Sequence, residues 1–277
     1  MMVVNGVGAN TVAVLDRGLM YGDGVFRTLA LRDGKLLHWP QQLRKLAEDC
    51  SALQLDCPPE TDWLAALRQA LGTQRDATLK LMVTRGCGTR GYRYPEYQRC
   101  NWMVLPSPPA DYPPECGGSG VAVRLCELRL GWQPRLAGIK HLNRLENVLA
   151  RNEWDDPAIR EGILLDHAGN VIEGTMSNLL LIRDGRLLTP ALDQCGVAGV
   201  MRDLVLQAAF DLGMEVEVGR VSLQQLLQAE EVGLCNSLIG LWPVRALGER
   251  RWTVFPLLRQ LQLALDESMC HLELFGV

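Results

Sequence analysis

A proline- and glycine-rich segment interrupts the chain and limits the folds available to it. Residues 106–120 hold five prolines and three glycines. Proline removes a backbone donor and glycine adds backbone entropy, so the interior of a helix or strand suits neither. We therefore predict an N-terminal domain over 1–105, a linker at 106–120 and a C-terminal domain over 121–277. With 277 residues in all, each of the two parts is long enough to bury a core.

Sequence patterns predict mixed α/β structure in both parts. Asn-Gly and Asp-Gly pairs, typical of hairpin turns, separate short apolar runs, and apolar residues at three- and four-residue spacing mark the helices. The predicted strands lie at 11–15, 25–31, 35–37, 79–84, 102–105, 121–127, 162–166, 178–182 and 186–188. The predicted helices lie at 40–53, 63–71, 141–154, 200–212 and 256–269.

Charge and cysteine content exclude several functional classes. The 28 basic and 32 acidic residues give a net charge of −4 without clustered lysine or arginine, which argues against general nucleic-acid binding. No run of about 18 apolar residues and no signal-peptide pattern is present, so we expect a soluble, cytoplasmic protein. The nine cysteines include no C-x-x-C pair and are expected to be mostly buried thiols in a reducing compartment.

Three familiar site patterns fail in this sequence. The G-x-G-x-x-G match at 86–91 is followed by Tyr92 and Pro95 instead of a helix, so it does not predict nucleotide binding. We interpret the loop 85–92 as a mobile, cationic segment that could meet a carboxylate substrate. The four histidines are scattered without metal-ligand spacing, so no metal site is expected, and G-x-S-x-G is absent.

Lysine is scarce, which makes one position conspicuous. The 28 basic residues include only four lysines, at positions 35, 45, 80 and 140. Lys35 and Lys80 suit ordinary surface or strand positions, whereas Lys140 stands between a glycine-containing turn and an apolar, helix-like segment. An amine kept beside apolar neighbours can act as a nucleophile that forms a Schiff base. The alternative is an ordinary lysine on a helix surface.

Two later segments favour the first interpretation. Glu173 ends a predicted strand and could pair with a pyridine nitrogen, although it could also be a plain turn carboxylate. Residues 195–202 form a glycine-spaced entry into a helix, whose backbone N–H groups could hold a phosphate. Gly199 could equally serve close packing alone.

Five segments, at 16–24, 140–146, 173–178, 199–202 and 236–244, together resemble the fold-type IV pyridoxal-phosphate enzymes. Residues 85–92, 140–146 and 241–244 are most similar to the aminodeoxychorismate lyase branch. The resemblance implies an α/β (α+β) fold of two domains. The smaller N-terminal domain would be α/β, and the larger C-terminal domain would be β-barrel-like with helices.

The resemblance also implies roles for individual residues. Lys140 would bind pyridoxal 5′-phosphate covalently and act as the catalytic base, and Glu173 would pair with the pyridine nitrogen. The further residues expected at the cofactor are Val200 and Met201 through their backbone N–H groups, the Ser237 side chain, and Ser177, Asn178 and Asn143.

The chain departs from the family pattern at two places. Lys45 occupies the position of a phosphate-binding arginine, with Arg44 beside it, so either side chain could contact the phosphate. Arg27 stands where the family usually has Glu or Thr. Arg27, Arg90 and Tyr92 are the candidates for contact with the substrate's carboxylates or ring.

The activity implied by the resemblance is elimination of pyruvate from 4-amino-4-deoxychorismate to give 4-aminobenzoate, by a homodimer acting on this small molecule. The alternative within the same fold is a branched-chain or D-amino-acid aminotransferase. A different alternative is a non-catalytic binding or scaffold protein that has kept the fold.

Overall fold

The computed structural model describes residues 1–88, 90–267 and 270–275. In chain order its strands are β1 Val3–Val4, β2 Val7–Gly8, β3 Gly24–Arg32, β4 Lys35–Leu37, β5 Ala77–Thr84, β6 Asn101–Ser107, β7 Val121–Leu130, β8 Ile159–Asp166, β9 Asn170–Gly174, β10 Asn178–Arg183, β11 Arg186–Pro190, β12 Val216–Gly219, β13 Val221–Ser222, β14 Glu231–Asn236, β15 Gly240–Leu247, β16 Arg250–Arg251 and β17 His271–Glu273. Its helices are α1 Arg17–Tyr21, α2 Trp39–Ala52, α3 Glu60–Leu71, α4 Pro114–Gly118, α5 Leu145–Arg151, α6 Val200–Asp211, α7 Leu223–Gln228 and α8 Pro256–Glu267.

Most predicted elements are confirmed, and two are wrong. The run 11–15 is not a strand: its side chains are exposed and its residues pair with no neighbouring strand. The helix expected over 141–154 is only α5. His141, before it, forms an isolated bridge with Val25 of β3, where the Phe26 N–H donates to the Lys140 carbonyl and the Leu142 N–H to the Gly24 carbonyl. A pairing with a distant strand therefore overrides the local helical pattern.

The first compact unit comprises Met1–Asp111, Ile139–Asn143 and residues 270–275. Its described strands form one antiparallel sheet in the order β17-β4-β3-β5-β6-β1-β2. The Asp33-Gly34 turn joins β3 to β4 with positive φ at both residues, as a two-residue hairpin of this type requires. Helices α2 and α3 cover the sheet, and large apolar side chains such as Trp39 and Trp63 fill the core between them.

Alternation along β3 and β5 gives the sheet of this unit two different faces. Odd-numbered residues such as Leu29 and Leu79 are buried in the core beneath the helices. In the register of the two strands Phe26 pairs with Met82 and Thr28 with Lys80. Because side chains in a strand alternate in direction, these four residues share the face opposite the helices.

The second unit comprises Tyr112–Gly138 and residues 144–267. Six of its strands, β7, β8, β9, β10, β14 and β15, close into a barrel, since β9 pairs with both β8 and β10. Helices α6 and α8 pack on β14, and the core is rich in Leu, Val and Ile. This arrangement confirms the α/β fold with a barrel-like second part.

The proline- and glycine-rich segment contains more regular structure than its composition suggests. It includes the end of β6 and the short helix α4, and the contacts divide the chain between Asp111 and Tyr112. Contacts also assign residues 139–143 and 270–275 to the first unit, unlike the sequence-based division. In the described part of the chain, no helix has the length and apolar character needed to cross a membrane.

Candidate active site

Both backbone polar groups of Lys140 are held within the first unit. Its carbonyl accepts from the Phe26 N–H at 3.0 Å, and its N–H donates to Asp49 Oδ2 at 3.2 Å. The side chain is half-buried, and its Nζ lies 4.6 Å from the centroid of the Phe26 ring. An ammonium group over a ring face is attracted by the ring's quadrupole. Hydrogen bonds thus fix both the N–H and the carbonyl of Lys140, and its amine lies against the Phe26 ring.

A second amine lies at the same ring. Lys80 Nζ is also 4.6 Å from the Phe26 centroid, so the two amines are no more than about 9 Å apart, twice that distance. Burial lowers the pKa of Lys80, because desolvation penalises its charged form. Lys80 was not among the predicted site residues. Alternation along β5 predicts which of its residues share a face with Lys80, but its place at the Phe26 ring depends on the register of β5 with β3.

Arg27 lies on the opposite face of β3 and is 2% exposed. Its guanidinium forms an ion pair with Asp49 of α2 and donates to the Lys45 carbonyl at 3.3 Å. Burial raises the pKa of Asp49, and the Arg27 cation opposes that rise. Because the Arg27 side chain is engaged with α2, this geometry does not support the predicted contact between Arg27 and substrate.

The two candidates for phosphate contact on α2 differ in their surroundings. Lys45 is half-buried and acts electrostatically on the Asp49 carboxylate. Arg44 is exposed and lies 3.7 Å from Glu48, a surface pair one helical turn away. Lys45 thus acts on the carboxylate that binds the Lys140 backbone. Asn143, expected near the cofactor, donates from its side chain to the Gly22 carbonyl at 3.1 Å.

The loop 85–92, predicted to be a mobile cationic segment, has arginine contacts at both of its ends. Arg85 is buried, donates to both carboxylate oxygens of Asp23 and lies 3.7 Å from the Tyr94 ring. Arg17 donates to the Gly91 and Tyr92 carbonyls at 3.0 and 3.1 Å. Arg85 is thus structural. The side chains of Arg90 and Tyr92 are exposed, and Thr89 lies outside the described residues.

In the second unit, Glu173 and Asn178 form one hydrogen-bonded group. They are paired residues of β9 and β10. Glu173 is buried, and its Oε2 accepts from the Val197 N–H at 2.8 Å. The Asn178 side chain donates to the Val197 carbonyl at 2.7 Å and accepts from the Gly199 N–H at 3.1 Å. A Cβ at residue 199 would overlap Asn178 Oδ1, so this close approach requires glycine.

Helix α6 begins directly after this group. Gly199 is its N-cap in an extended conformation, and among the described residues no side chain caps the helix. The first N–H groups of a helix have no partner within the helix and carry the positive end of its dipole. The backbone of Val200 and Met201 can therefore bind an anion. Ser237 lies in the turn between β14 and β15 and is half-buried.

A second buried carboxylate, which the sequence analysis missed, shapes the turn after Glu173. Glu161 on β8 is 1% exposed and accepts from the backbone and hydroxyl of Thr175, from the Met176 N–H at 3.1 Å and from Ser177 Oγ at 2.7 Å. Ser177 was expected at the cofactor, but its hydroxyl bonds to Glu161. Glu161 follows Arg160 and precedes the apolar residues 163–165 of β8, so the sequence pattern did not indicate its burial.

These groups match the chemistry of pyridoxal phosphate. In the first unit, the amine of Lys140 is suited to its aldehyde. In the second unit, the buried carboxylate of Glu173 is suited to its ring nitrogen, and the N-terminus of α6 is suited to its phosphate. Glycine at residue 199 lets the start of α6 lie against Asn178, and no described side chain caps the helix. The residues of the chain thus fit this cofactor.

The chain is similar to solved structures of a lyase and of aminotransferases. The chain is similar to 4-amino-4-deoxychorismate lyase from Pseudomonas aeruginosa, at 44% identity and a TM-score of 0.91, over 97% of this chain and 99% of that one. It shares its fold with the branched-chain aminotransferase of Escherichia coli, at 22% identity and a TM-score of 0.83 over 96% of this chain and 93% of that one.

Curated relatives include both lyases and aminotransferases. The chain is 39% identical over 255 residues to an aminodeoxychorismate lyase of Vibrio harveyi, covering 89% of this chain and 91% of that protein. It is 30% identical over 244 residues to a D-alanine aminotransferase of Listeria innocua, covering 84% and 81%. A model of the family described as amino-transferase class IV matches residues 24–247. With most of its length matched in this way, the chain belongs to the amino-transferase class IV family.

Proposed function

We propose that this protein is an aminodeoxychorismate lyase, which uses pyridoxal phosphate to eliminate pyruvate from 4-amino-4-deoxychorismate and release 4-aminobenzoate. The observation that carries the proposal is the 44% identity to the Pseudomonas aeruginosa lyase over 97% of the chain. Identity to the Vibrio harveyi lyase is 39%, against 30% to the Listeria innocua D-alanine aminotransferase. The pattern favours the lyase over the aminotransferase alternative.

In the proposed reaction Lys140 has two tasks. Its amine would hold the cofactor, and with substrate bound the same amine would take the proton from the carbon that carries the substrate's amino group. The contacts of Lys140 support the second task, because the Phe26 N–H and the Asp49 carboxylate fix its backbone. A base whose backbone is fixed needs little reorganisation to reach that proton.

Glu173 would hold the protonated ring nitrogen, and Val200, Met201, Ser237 and Lys45 would hold the phosphate. Bound pyridoxal phosphate supplies an electron sink for the charge left when the proton is removed. The Val197 N–H fixes the Glu173 carboxylate at 2.8 Å, and Asn178 fixes the backbone before α6. These contacts fix the position of the Glu173 carboxylate relative to the anion-binding N–H groups of α6.

The segment that leads into Lys140 pairs, two residues before it, with the loop that holds Glu173. The Gly138 N–H donates to the Gly196 carbonyl at 2.9 Å, and the Ala198 N–H donates to the Gly138 carbonyl at 3.0 Å. The residue between 196 and 198 is Val197, which bonds to Glu173. Lys140 follows Gly138 by two residues. A segment paired with the loop that holds the carboxylate thus continues directly into the reactive lysine.

The substrate carries carboxylates on its ring and on its enolpyruvyl group, so the site needs cationic side chains to bind them. We assign one of these contacts to Lys80, whose half-buried amine is 4.6 Å from the Phe26 ring centroid. Charged hydrogen bonds to carboxylates are the stronger class in proteins. Arg90 and Tyr92 are exposed and stay candidates for the other contact.

We also propose a homodimer located in the cytoplasm. Three apolar side chains at helical spacing on α5, Leu145, Val148 and Leu149, are 75%, 52% and 62% exposed, which is typical of a surface that a partner covers. None of the nine cysteines forms a disulfide, which is consistent with a reducing compartment.

The test is to incubate the purified protein, loaded with pyridoxal phosphate, with 4-amino-4-deoxychorismate and to quantify both products. We expect 4-aminobenzoate and pyruvate in equal amounts, loss of both with Lys140→Ala, and little change with Lys35→Ala as a matched lysine control. Efficient amino exchange between a branched-chain or D-amino acid and a 2-oxo acid, without 4-aminobenzoate, would establish the aminotransferase instead. A protein that gains no visible absorbance with the cofactor would be the non-catalytic alternative.

A further inference from the structure

A buried ion pair lies next to the backbone of Lys140. Arg27 and Asp49 are 2% and 5% exposed, on β3 and α2 of the first unit. Desolvation of two charges costs free energy, and hydrophobic residues of the same volume often replace such a pair without loss of stability. Stability alone therefore does not account for this pair. The Asp49 carboxylate also accepts from the Lys140 N–H, which indicates that the pair has a role at this lysine.

The geometry connects the pair to the lysine through one oxygen. Asp49 Oδ2 accepts both from the Arg27 guanidinium and from the Lys140 N–H, the latter at 3.2 Å. Arg27 also donates to the carbonyl of Lys45 at 3.3 Å, one helical turn before Asp49. Arg27 thus binds α2 at two points, and these contacts fix where the carboxylate stands.

The residue beside Arg27 completes the arrangement. Phe26 points to the opposite face of β3, where its ring lies 4.6 Å from Lys140 Nζ, while its N–H donates to the Lys140 carbonyl at 3.0 Å. Two adjacent residues of one strand therefore hold Lys140. Phe26 contacts the carbonyl and the amine of Lys140 directly. Arg27 acts indirectly, because it binds the Asp49 carboxylate that accepts from the Lys140 N–H.

We propose that Arg27 and Asp49 are positioning residues for Lys140: the pair fixes the lysine's backbone so that its amine stays at the Phe26 ring. The proposal rests on the proposed function for the chemical role of Lys140. Reactive groups need support to within about 0.5 Å, and a displacement of about 1 Å can reduce the rate about 100-fold. Neither residue touches the reacting atoms.

The main test uses the double variant Arg27→Met/Asp49→Leu, which removes both charges and the acceptor together and so leaves no buried charge unpaired. We expect its thermal midpoint to lie above that of Asp49→Leu alone. We also expect amide hydrogen exchange of Lys140 in the cofactor-free protein to be at least about 10-fold faster. In the holoenzyme, kcat should fall about 10- to 100-fold, with KM changed less than about 3-fold. The matched control is Asp33→Asn, which breaks the exposed Arg75–Asp33 pair of the same unit.

Arg27→Lys is the second variant, in case the double variant does not fold. It keeps the positive charge, but both contacts with α2 come from one guanidinium nitrogen, and the lysine side chain ends one bond short of it. We therefore expect faster exchange at Lys140 and a kcat about 3- to 10-fold lower. Wild-type exchange at Lys140 together with wild-type kcat, in either variant that folds, would overturn the proposal and leave the pair a purely structural one. A wild-type protein that lacks lyase activity would instead refute the proposed function, and the exchange measurement would still decide the positioning role.

Discussion

Lys80→Met should separate stability from substrate binding. Burial lowers the pKa of Lys80, so the charged side chain weakens the folded state at neutral pH, and methionine fills similar space without that cost. We expect the cofactor-free variant to be at least as stable as the wild type at pH 7. Substrate, however, loses a hydrogen bond between charged groups worth about 1.5–3 kcal/mol, which predicts a kcat/KM lower by about 10- to 150-fold.

The pH dependence gives a second readout with a definite sign. Since the folded pKa of Lys80 lies below its ordinary value of 10.5, the unfolded chain binds more protons between those two values. The stability of the wild type therefore rises with pH through that window, and the variant lacks this rise. Any advantage of the variant at pH 7 should shrink as pH approaches 10.5.

Denaturant unfolding at several pH values and steady-state kinetics measure both effects. Lys35→Met is the control. Lys35 Nζ lies 3.6 Å from Glu273 Oε1 in a surface ion pair, so we expect the free energy of unfolding to change by no more than about 0.5 kcal/mol. If Lys80→Met destabilises the protein by more than about 1 kcal/mol at pH 7, the inferred cost of burial is wrong. If it leaves kcat/KM unchanged, Lys80 does not contact the substrate.

Three further predictions concern other parts of the molecule. Gly199→Ala forces a Cβ into Asn178, so cofactor affinity, measured by titration, should fall about 10-fold, and the free energy of unfolding should fall by about 1–3 kcal/mol. Gly118→Ala is the control and should change neither quantity, because the space at its Cβ is open. Glu161→Gln weakens the acceptor that organises the turn after β9 and should cost about 2 kcal/mol in denaturant unfolding, with no loss refuting that role. Leu149→Glu should convert a dimer into a monomer in sedimentation analysis; a wild-type monomer would refute the dimer.

The sequence located those parts of the candidate site that are local in the chain. Lys140, Glu173 and the glycine before α6 each lie in a short motif whose chemistry depends on its immediate neighbours. Gly199 illustrates this, because a glycine before an amphipathic helix already indicates a close approach, and the structure shows that Asn178 makes it.

Residues whose roles depend on distant pairing were missed or misplaced. Lys80 reaches the Phe26 ring only through the register of β3 with β5, and Asp49 reaches Lys140 from a helix 91 residues earlier. Arg27 shares the parity of buried Val25 and Leu29, so alternation could place it beneath the helices. Its partner on α2, however, becomes evident only in three dimensions.

The most direct test of the account is to trap the lysine that carries the cofactor. The holoenzyme is reduced with borohydride, digested and mapped by mass spectrometry, and with only four lysines in the chain each outcome is distinguishable. The account predicts the pyridoxyl label on Lys140 and its disappearance in Lys140→Ala. A label on Lys35, Lys45 or Lys80 in the wild type, or no label at all, would contradict it.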